Sequence, residues 1–120
     1  MEPSDKIGNN SENGELLQFL KSVSAEDRDS LQKLYTLADG YSRQGSSFDL
    51  QGDPEQAQRQ YLLALRIHEQ LFKITGDPAC AEAAREDCFS LADECMQQGN
   101  MHGADGYYGK ALDYGGDRIP

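Results

Sequence analysis

The side chains best suited to chemistry in this sequence are three cysteines and two histidines. Cys80, Cys88 and Cys95 are spaced eight and seven residues apart, whereas the paired ligands of a zinc site are typically about two to four residues apart. A cysteine nucleophile needs a histidine as its base, and nothing in the sequence positions His68 or His102 for that role. The cysteines follow a helical spacing, which favours thiols in a helical core. We therefore expect no metal site, no cofactor and no catalytic residue.

The absence of known enzyme motifs also argues against catalysis. The sequence has no Gly-rich phosphate-binding loop, no paired-acid motif and no nucleophile elbow. We therefore predict that the protein is not an enzyme.

The chain is strongly acidic. It has 21 Asp and Glu residues against 11 Lys and Arg residues, a formal net charge of −10 over 120 residues. This charge repels the phosphates of nucleic acids and the headgroups of anionic lipids, so neither is expected as a partner. A basic peptide or a basic patch on another protein is complementary to it.

No targeting segment or membrane-spanning segment is expected from the sequence. The stretch from Met1 to Gly14 is polar, without the basic and then apolar order of a signal peptide. Charged residues interrupt the most apolar stretch, around 61–74, so no membrane insertion is expected. An odd number of cysteines without such a signal indicates reduced thiols and a cytoplasmic protein. We expect a disordered lead over 1–14, one helical domain over 15–114 and a flexible tail over 115–120.

Apolar residues recur at helical spacing along most of the chain, and no run alternates as a strand would. Ser24 and Asp27 form a capping-box pattern that opens the first long helix. Asp53-Pro54 and Asp77-Pro78 each place a capping side chain before a proline at the first helical position. A loop is expected between Gln44 and Gly52 from its composition. The sequence predicts helices over Ser24–Gln44, Pro54–Thr75, Ala79–Gln98 and Met101–Tyr114.

Two parts of the sequence carry one pattern of large, small and aromatic residues. In the second half it occupies Cys88, Leu91, Ala92, Cys95, Gly99, Ala104, Tyr108, Ala111 and Leu112. In the first half it occupies Leu34, Leu37, Ala38, Tyr41, Gly52, Ala57, Tyr61, Ala64 and Leu65, with seven extra residues assigned to the turn. Small residues at these places let paired helices approach closely.

This order of residues resembles the tetratricopeptide repeat, in the longer style of the kinesin light chain. The resemblance covers about 30–114 and implies an all-α fold of antiparallel helix pairs, stacked as a short solenoid of about two repeats. An apolar cluster at helical spacing, from Leu16 to Val23, predicts an N-terminal helix in addition. On the repeat pattern Ala38 contacts Ala57 or Tyr61, and Ala92 contacts Ala104 or Tyr108.

In a tetratricopeptide array the first helix of each pair lines a concave groove, so the resemblance also implies a binding site. One aromatic and one Asp would recur in equivalent places of the two repeats. Either these residues bind a segment that carries Lys or Arg beside an apolar anchor, or the aromatics contact the neighbouring pair while the Asps are solvated. The groove residues would be Gln32, Tyr35, Asp39, Ser42, Glu86, Phe89, Asp93 and Met96.

The last helix has a second candidate surface. Only two repeats are visible, and the residues after Tyr114 are too few and too rich in glycine to form a capping helix. An apolar edge is therefore expected, and with it self-association, as a homodimer, at high concentration. The edge residues would be Met101, Tyr107, Tyr108 and Leu112. Gly103, Gly106 and Gly109 would either admit another backbone to this helix or mark a fraying end.

These observations predict a non-enzymatic adaptor or scaffold that presents an acidic, aromatic-lined groove to a peptide or protein partner. Two alternatives remain: a small acidic chaperone of the secretion type that holds an apolar segment, and a regulatory subunit that associates with itself.

Overall fold

The computed structural model describes residues 14–115, and these form five α-helices without a strand. The first, α1, covers residues 14–22. The others are α2 (Arg28–Leu50), α3 (Pro54–Thr75), α4 (Pro78–Gln97) and α5 (Met101–Asp113). The predicted all-α fold is confirmed. The expected disordered lead falls on residues 1–13, outside the described part, apart from Gly14, which is already helical. Of the expected tail, only Gly115 is described.

The two Asp-Pro pairs act as helix caps, as the sequence predicts. The Asp53 carboxylate accepts a hydrogen bond from the Gln56 amide at 3.2 Å, and that of Asp77 accepts one from the Ala79 amide at 3.0 Å. These bonds satisfy amides that have no partner within the first helical turn. They fix where α3 and α4 begin.

The bounds of α2 differ from the prediction at both ends. Asp27, not Ser24, caps the helix by accepting from the Ser30 amide at 3.1 Å. The segment from Gln44 to Leu50, predicted as a loop, is the last part of the helix. Tertiary contacts of this segment with α3 outweigh its low helix propensity. The residues that the sequence pattern assigned to an enlarged turn are therefore part of α2.

Consecutive helices pack as antiparallel neighbours. Ser46, near the end of α2, hydrogen-bonds to Tyr61, near the start of α3, at 3.1 Å between hydroxyl oxygens. Leu34, near the start of α2, shares a buried cluster with Leu71, near the end of α3. α3 packs on α4 and α4 on α5 in turn. The predicted stack of antiparallel pairs is thus confirmed.

Helices α2 and α4 lie side by side in one layer and run in the same direction. The Tyr35 hydroxyl and the Cys80 Sγ, early in each helix, are hydrogen-bonded at 3.3 Å. Late in each helix, Gln97 Nε2 donates to Asp49 Oδ1 at 2.9 Å.

Helix α5 is tied to α3 in the second layer. The Lys110 ammonium lies 3.0 Å from the Glu69 carboxylate, and the Tyr114 hydroxyl donates a hydrogen bond to the same carboxylate. The first helix of each pair therefore occupies one layer and the second helix the other.

The two pairs repeat with a period of 47 residues. α2 ends at Leu50 and α4 at Gln97, 47 residues later. In the turns that follow, Gly52 and Gly99 keep the same spacing and the same left-handed backbone, with φ of 79° and 77°. Glycine is favoured at both positions because a side chain strains this conformation. One register therefore relates both helices of the first pair to those of the second.

Of the two helix contacts predicted from the sequence, one is observed and the other is not. Ala92 and Ala104 share a buried cluster, as predicted. Ala38, however, lies in the cluster of Leu71, whereas Ala57 and Tyr61 belong to another cluster. The expected contact of Ala38 with Ala57 or Tyr61 is therefore wrong.

Gly45 occupies the place in the first pair that Ala92 holds in the second. It is buried against Tyr61, and a Cβ built on it would lie 2.7 Å from the ring. The close approach of α2 and α3 therefore depends on Gly45, seven residues after the position that the sequence pattern indicated.

The open side of α2 and α3 is covered by α1. Leu20 and Val23 are buried in the cluster that contains Leu34 and Leu71, and Gln70 Nε2 donates to the Leu20 carbonyl at 3.3 Å. The expected N-terminal helix is thus present, and it packs on the first pair. No helix within residues 14–115 is long and apolar enough to cross a membrane.

Candidate functional site

All three cysteines are buried free thiols, which confirms their predicted place in the core. Desolvation raises the pKa of Cys88 to about 11, and it also raises the pKa of Cys95. A thiol with a raised pKa is a poor nucleophile at neutral pH, because the thiolate is the reactive form. Within residues 14–115 no group of three or more His, Cys, Asp or Glu side chains is placed to hold a metal ion.

His68 belongs to a polar link across three helices. Its Nδ1 lies 2.6 Å from Oδ2 of the buried Asp87, and Ser42 Oγ donates to the other oxygen of Asp87 at 3.4 Å. In a catalytic triad the serine bonds to the histidine, whereas here both bond to the aspartate. Desolvation raises the pKa of Asp87, and the hydrogen bond with His68 opposes this effect. The geometry is that of a buried structural contact.

A second buried acid, Glu94, was not anticipated. Its side chain is 2% exposed, and its Oε1 has no hydrogen-bond partner among the described residues. Desolvation and the neighbouring Asp49 raise its pKa to about 7. Glu94 and Asp87 each lie three residues from a buried position of α4, Leu91 and Ala84, and this spacing was the available signal.

The structure divides the predicted concave groove. Gln32 and Asp39 of α2 are exposed, and Asp39 pairs with Arg43 at 3.0 Å. Tyr35 and Ser42 are partly buried and turn towards α4, where they bond to Cys80 and Asp87. In the 47-residue register Tyr35 corresponds to Glu82 rather than to Phe89, so the expected recurrence of an aromatic and an Asp is wrong.

The groove residues of α4 lie together with residues predicted for the edge of α5. Phe89 and Tyr108 have ring centroids 6.1 Å apart at an angle of 53°, a favourable aromatic contact. The Tyr108 hydroxyl donates to Met96 Sδ at 3.6 Å. Part of the expected groove and part of the expected apolar edge therefore form one surface across α4 and α5.

The rest of the predicted edge extends this surface, with one exception. Met101 and Leu112 are exposed and lie seven residues before and four after Tyr108, on the same side of α5. Tyr107 is instead partly buried and packs into two core clusters. We call the exposed apolar surface of α4 and α5 the terminal face; it comprises Phe89, Met96, Met101, Tyr108 and Leu112.

Apolar exposure is concentrated on the terminal face. Seven large apolar side chains are exposed within residues 14–115, and five of them form this face. The other two, Leu17 and Leu50, lie on separate helices. An exposed apolar cluster of this kind is typical of an interaction surface.

On the first pair, the surface equivalent to the terminal face is covered by the next helix of the array. Tyr61 and Leu65 of α3 are 7% and 2% exposed and share a buried cluster with residues of α4, while the Tyr61 ring also lies against Gly45 of α2. Their equivalents on α5, Tyr108 and Leu112, are 38% and 55% exposed. The face that α4 covers on the first pair is therefore open on the second.

The first helices of the two pairs differ at this face in chemistry. Ser42 and Asp49 of α2 make polar contacts with α4. At the equivalent positions α4 carries Phe89 and Met96. The outer face of a repeat that caps an array is usually polar, because it is exposed to solvent. This one is more apolar than the internal face that it repeats.

Acidic residues interleave with the apolar ones. Asp93 lies between Phe89 and Met96 along one side of α4, and Asp105 lies between Met101 and Tyr108 on α5. Both are exposed, as is Glu86, one turn before Phe89.

The basic residues of these two helices leave that charge unbalanced. Arg85 and Lys110 are the Lys and Arg residues of α4 and α5, and they pair with Glu82 at 3.7 Å and Glu69 at 3.0 Å. The terminal face is consequently apolar with an acidic border.

Comparisons with known proteins yield no relative: no family model, no curated protein and no solved structure matches the chain.

Proposed function

We propose that this chain is a non-enzymatic protein-binding module, an adaptor or scaffold, that binds its partner through the terminal face. One observation carries this proposal. The terminal face is the equivalent, on the second pair, of a surface that is buried on the first pair. On the second pair this surface is exposed and more apolar. Binding of another protein removes this apolar surface from water, which is the main favourable term in most protein association.

Support for a helical-repeat module comes from the order of the residues and the period of the helices. In the turn and the second helix of each pair, the tetratricopeptide-like residues recur with the 47-residue period of the helices, as Gly52 and Gly99, Ala57 and Ala104, and Tyr61 and Tyr108. Repeat arrays of this type build interaction surfaces from stacked helices. We therefore place the chain with the tetratricopeptide-like adaptors as a proposal.

The chemistry of the partner follows from charge. A net charge of −10 and an acidic border favour a protein or peptide with basic residues beside an apolar anchor, and they disfavour nucleic acid. The free thiols are in keeping with the reducing cytoplasm, where we propose that the module works.

A chaperone role is a second candidate, and the two methionines of the face favour it. Met96 and Met101 are both exposed, and flexible methionine side chains adapt to apolar segments of different shape. Such a chaperone would hold many apolar segments, whereas an adaptor would bind one kind of partner.

The experiment is a comparison of captured proteins for two variants. The double variant Phe89→Ser, Met96→Asp gives α4 the residues that α2 carries at the equivalent positions. Leu50→Ser, which removes an exposed apolar side chain from α2, is the matched control. Proteins retained by the wild type and by Leu50→Ser but lost from the double variant are partners bound through the terminal face. Identical sets for all three proteins would refute the proposed site.

A further inference from the structure

The internal repeat identifies the kind of element that fits the terminal face. On the first pair the equivalent face is covered by one helix, α4, which contacts α2 through polar side chains and shares a buried cluster with Tyr61 and Leu65 of α3. A helix of similar placement on the second pair would lie along α4 and α5. Its apolar stripe would recur at helical spacing, as anchors in helix-in-groove binding do.

The border of the face identifies the charge of that helix. Glu86, Asp93 and Asp105 are exposed beside the apolar residues, and the cations of both helices are already paired. Acidic side chains on the covering helix would face these carboxylates and be repelled. Lys or Arg on either side of the apolar stripe would instead pair with them.

Charge repulsion also disfavours a second copy of this chain as the occupant of the terminal face. Two terminal faces in contact bring two sets of Glu86, Asp93 and Asp105 together, and each chain carries a net charge of −10. Electrostatic repulsion therefore opposes, at low salt, the self-association that the apolar edge predicts.

We propose that the terminal face is the docking site for an amphipathic helix of a partner protein, with an apolar stripe flanked by Lys and Arg. The helix lies along α4 and α5 as α4 lies along α2 and α3. This inference rests on the proposed protein-binding function and adds the conformation and charge of the bound segment. Burial of roughly 800 Å² on each partner, a standard interface, would give a specific complex.

The test uses the whole chain and three labelled peptides of about 20 residues, long enough for a helix that spans the face. The first has Leu at helical spacing and Lys at the flanking positions. The second has the same composition in scrambled order, and the third has Glu in place of Lys. Fluorescence anisotropy should show that the first peptide binds at least about tenfold more tightly than either of the others. Circular dichroism should show that it becomes helical on binding.

Variants of the protein locate the bound peptide. Phe89→Ser with Met96→Asp should weaken binding by at least about tenfold, and Leu50→Ser should leave it unchanged. Asp93→Lys should weaken it several-fold, whereas Asp39→Lys, which changes an exposed acid on α2 that pairs with Arg43, should not. Thermal melts of each variant confirm that the fold is retained.

Two results would overturn the inference. Equal affinity for the striped and scrambled basic peptides would mean that charge alone attracts them. A dimer of the wild-type chain that depends on Phe89 at low salt would mean that a second copy is the occupant. If captured proteins depend on Phe89 and Met96 while no helical peptide binds, this inference fails and the proposed function stands. If neither depends on the face, both fail.

Discussion

Gly45 and Tyr61 set the distance between the first two long helices. Gly45 is buried in α2, and the Cε1, Cδ1 and Cζ atoms of Tyr61 lie within 2.9 Å of where its Cβ would be. The Tyr61 ring is itself buried, and its hydroxyl bonds to Ser46, the next residue of α2. A methyl group at position 45 would therefore displace the ring or the helix.

The contrast between Gly45 and Gly40 gives a direct test. Gly45→Ala should destabilise the fold by about 1–3 kcal/mol, because the added group overpacks a buried contact. Gly40→Ala, in the same helix with no atom within 4 Å of its added Cβ, should stabilise it by about 0.5–1 kcal/mol through helix propensity. Urea unfolding of both variants measures the difference. Equal effects would show that the contact with Tyr61 does not limit the packing.

Helices α2 and α3 illustrate which parts of the fold could be predicted from the sequence and which could not. Hydrophobic spacing and the Asp-Pro caps predicted α3 with its observed bounds, because those signals are local. The segment from Gln44 to Leu50 has glycine and serine, so local propensity predicted a loop. Its helix depends on contacts of Gly45 and Ser46 with Tyr61, fifteen or more residues along the chain. Propensity contains no information on such contacts.

The same limit applies to the candidate site. Phe89 and Met96 were expected in the groove that the resemblance implies, and Tyr108 was expected in the apolar edge of the last helix. That Phe89 and Tyr108 belong to one surface follows only from the packing of α4 against α5. Asp87 was missed because an acid is rarely buried, and its burial depends on His68 of another helix.

The link between His68 and Asp87 should contribute to stability. His68→Ala leaves the buried Asp87 without its closest partner, which should lower the free energy of unfolding by about 1–3 kcal/mol. The double variant with Asp87→Ala should cost less than the sum of the single changes, because the two side chains interact. Ser42→Ala, which removes a longer hydrogen bond of 3.4 Å, should cost less than His68→Ala. Strict additivity in the double-mutant cycle would show that the contact contributes nothing.

Glu94 should make stability depend on pH. Its pKa is raised from 4.5 to about 7 in the folded protein, so the folded state holds a proton that the unfolded state releases. The stabilisation is complete below about pH 4.5 and is lost as pH rises through about 7. Relative to Glu94→Gln, the free energy of unfolding of the wild type should fall by at most about 3 kcal/mol across this range.

Urea unfolding of both proteins at several pH values measures this effect. Glu86→Gln, an exposed glutamate of the same helix, is the control and should follow the wild-type profile. Parallel profiles for the wild type and Glu94→Gln would show that Glu94 is ionised at neutral pH in the folded protein.

The buried thiols should be protected from reagents. Cys80, Cys88 and Cys95 should react with Ellman's reagent in the native protein only as fast as the fold opens, because all three are buried and burial raises the pKa of Cys88 and Cys95. Ser47→Cys, at an exposed position of α2, supplies a fast-reacting reference within the same protein. Rapid native labelling of a second thiol besides this reference would show that part of the core is open.

Self-association should depend on salt, because charge and apolar surface oppose each other at the terminal face. At about 0.01 M salt, where charges interact over about 30 Å, acidic borders should keep the chain monomeric in sedimentation experiments across a concentration series. At about 1 M salt the range falls to about 3 Å, and apolar contact should then produce dimers. Neutralising the border with Glu86→Gln, Asp93→Asn and Asp105→Asn should produce the same dimers at low salt.

The location of these dimers can be tested with the variants that test partner binding. Phe89→Ser with Met96→Asp should remain monomeric at high salt, whereas Leu50→Ser should associate as the wild type does. Hydrogen exchange at the amides of α5 should slow when the dimer forms, because Tyr108 and Leu112 become buried there. If α5 is fully protected in a monomer at every salt concentration, the terminal face is already covered within the chain. The apolar surface would then have no role in binding, since a covered face has no area left to bury.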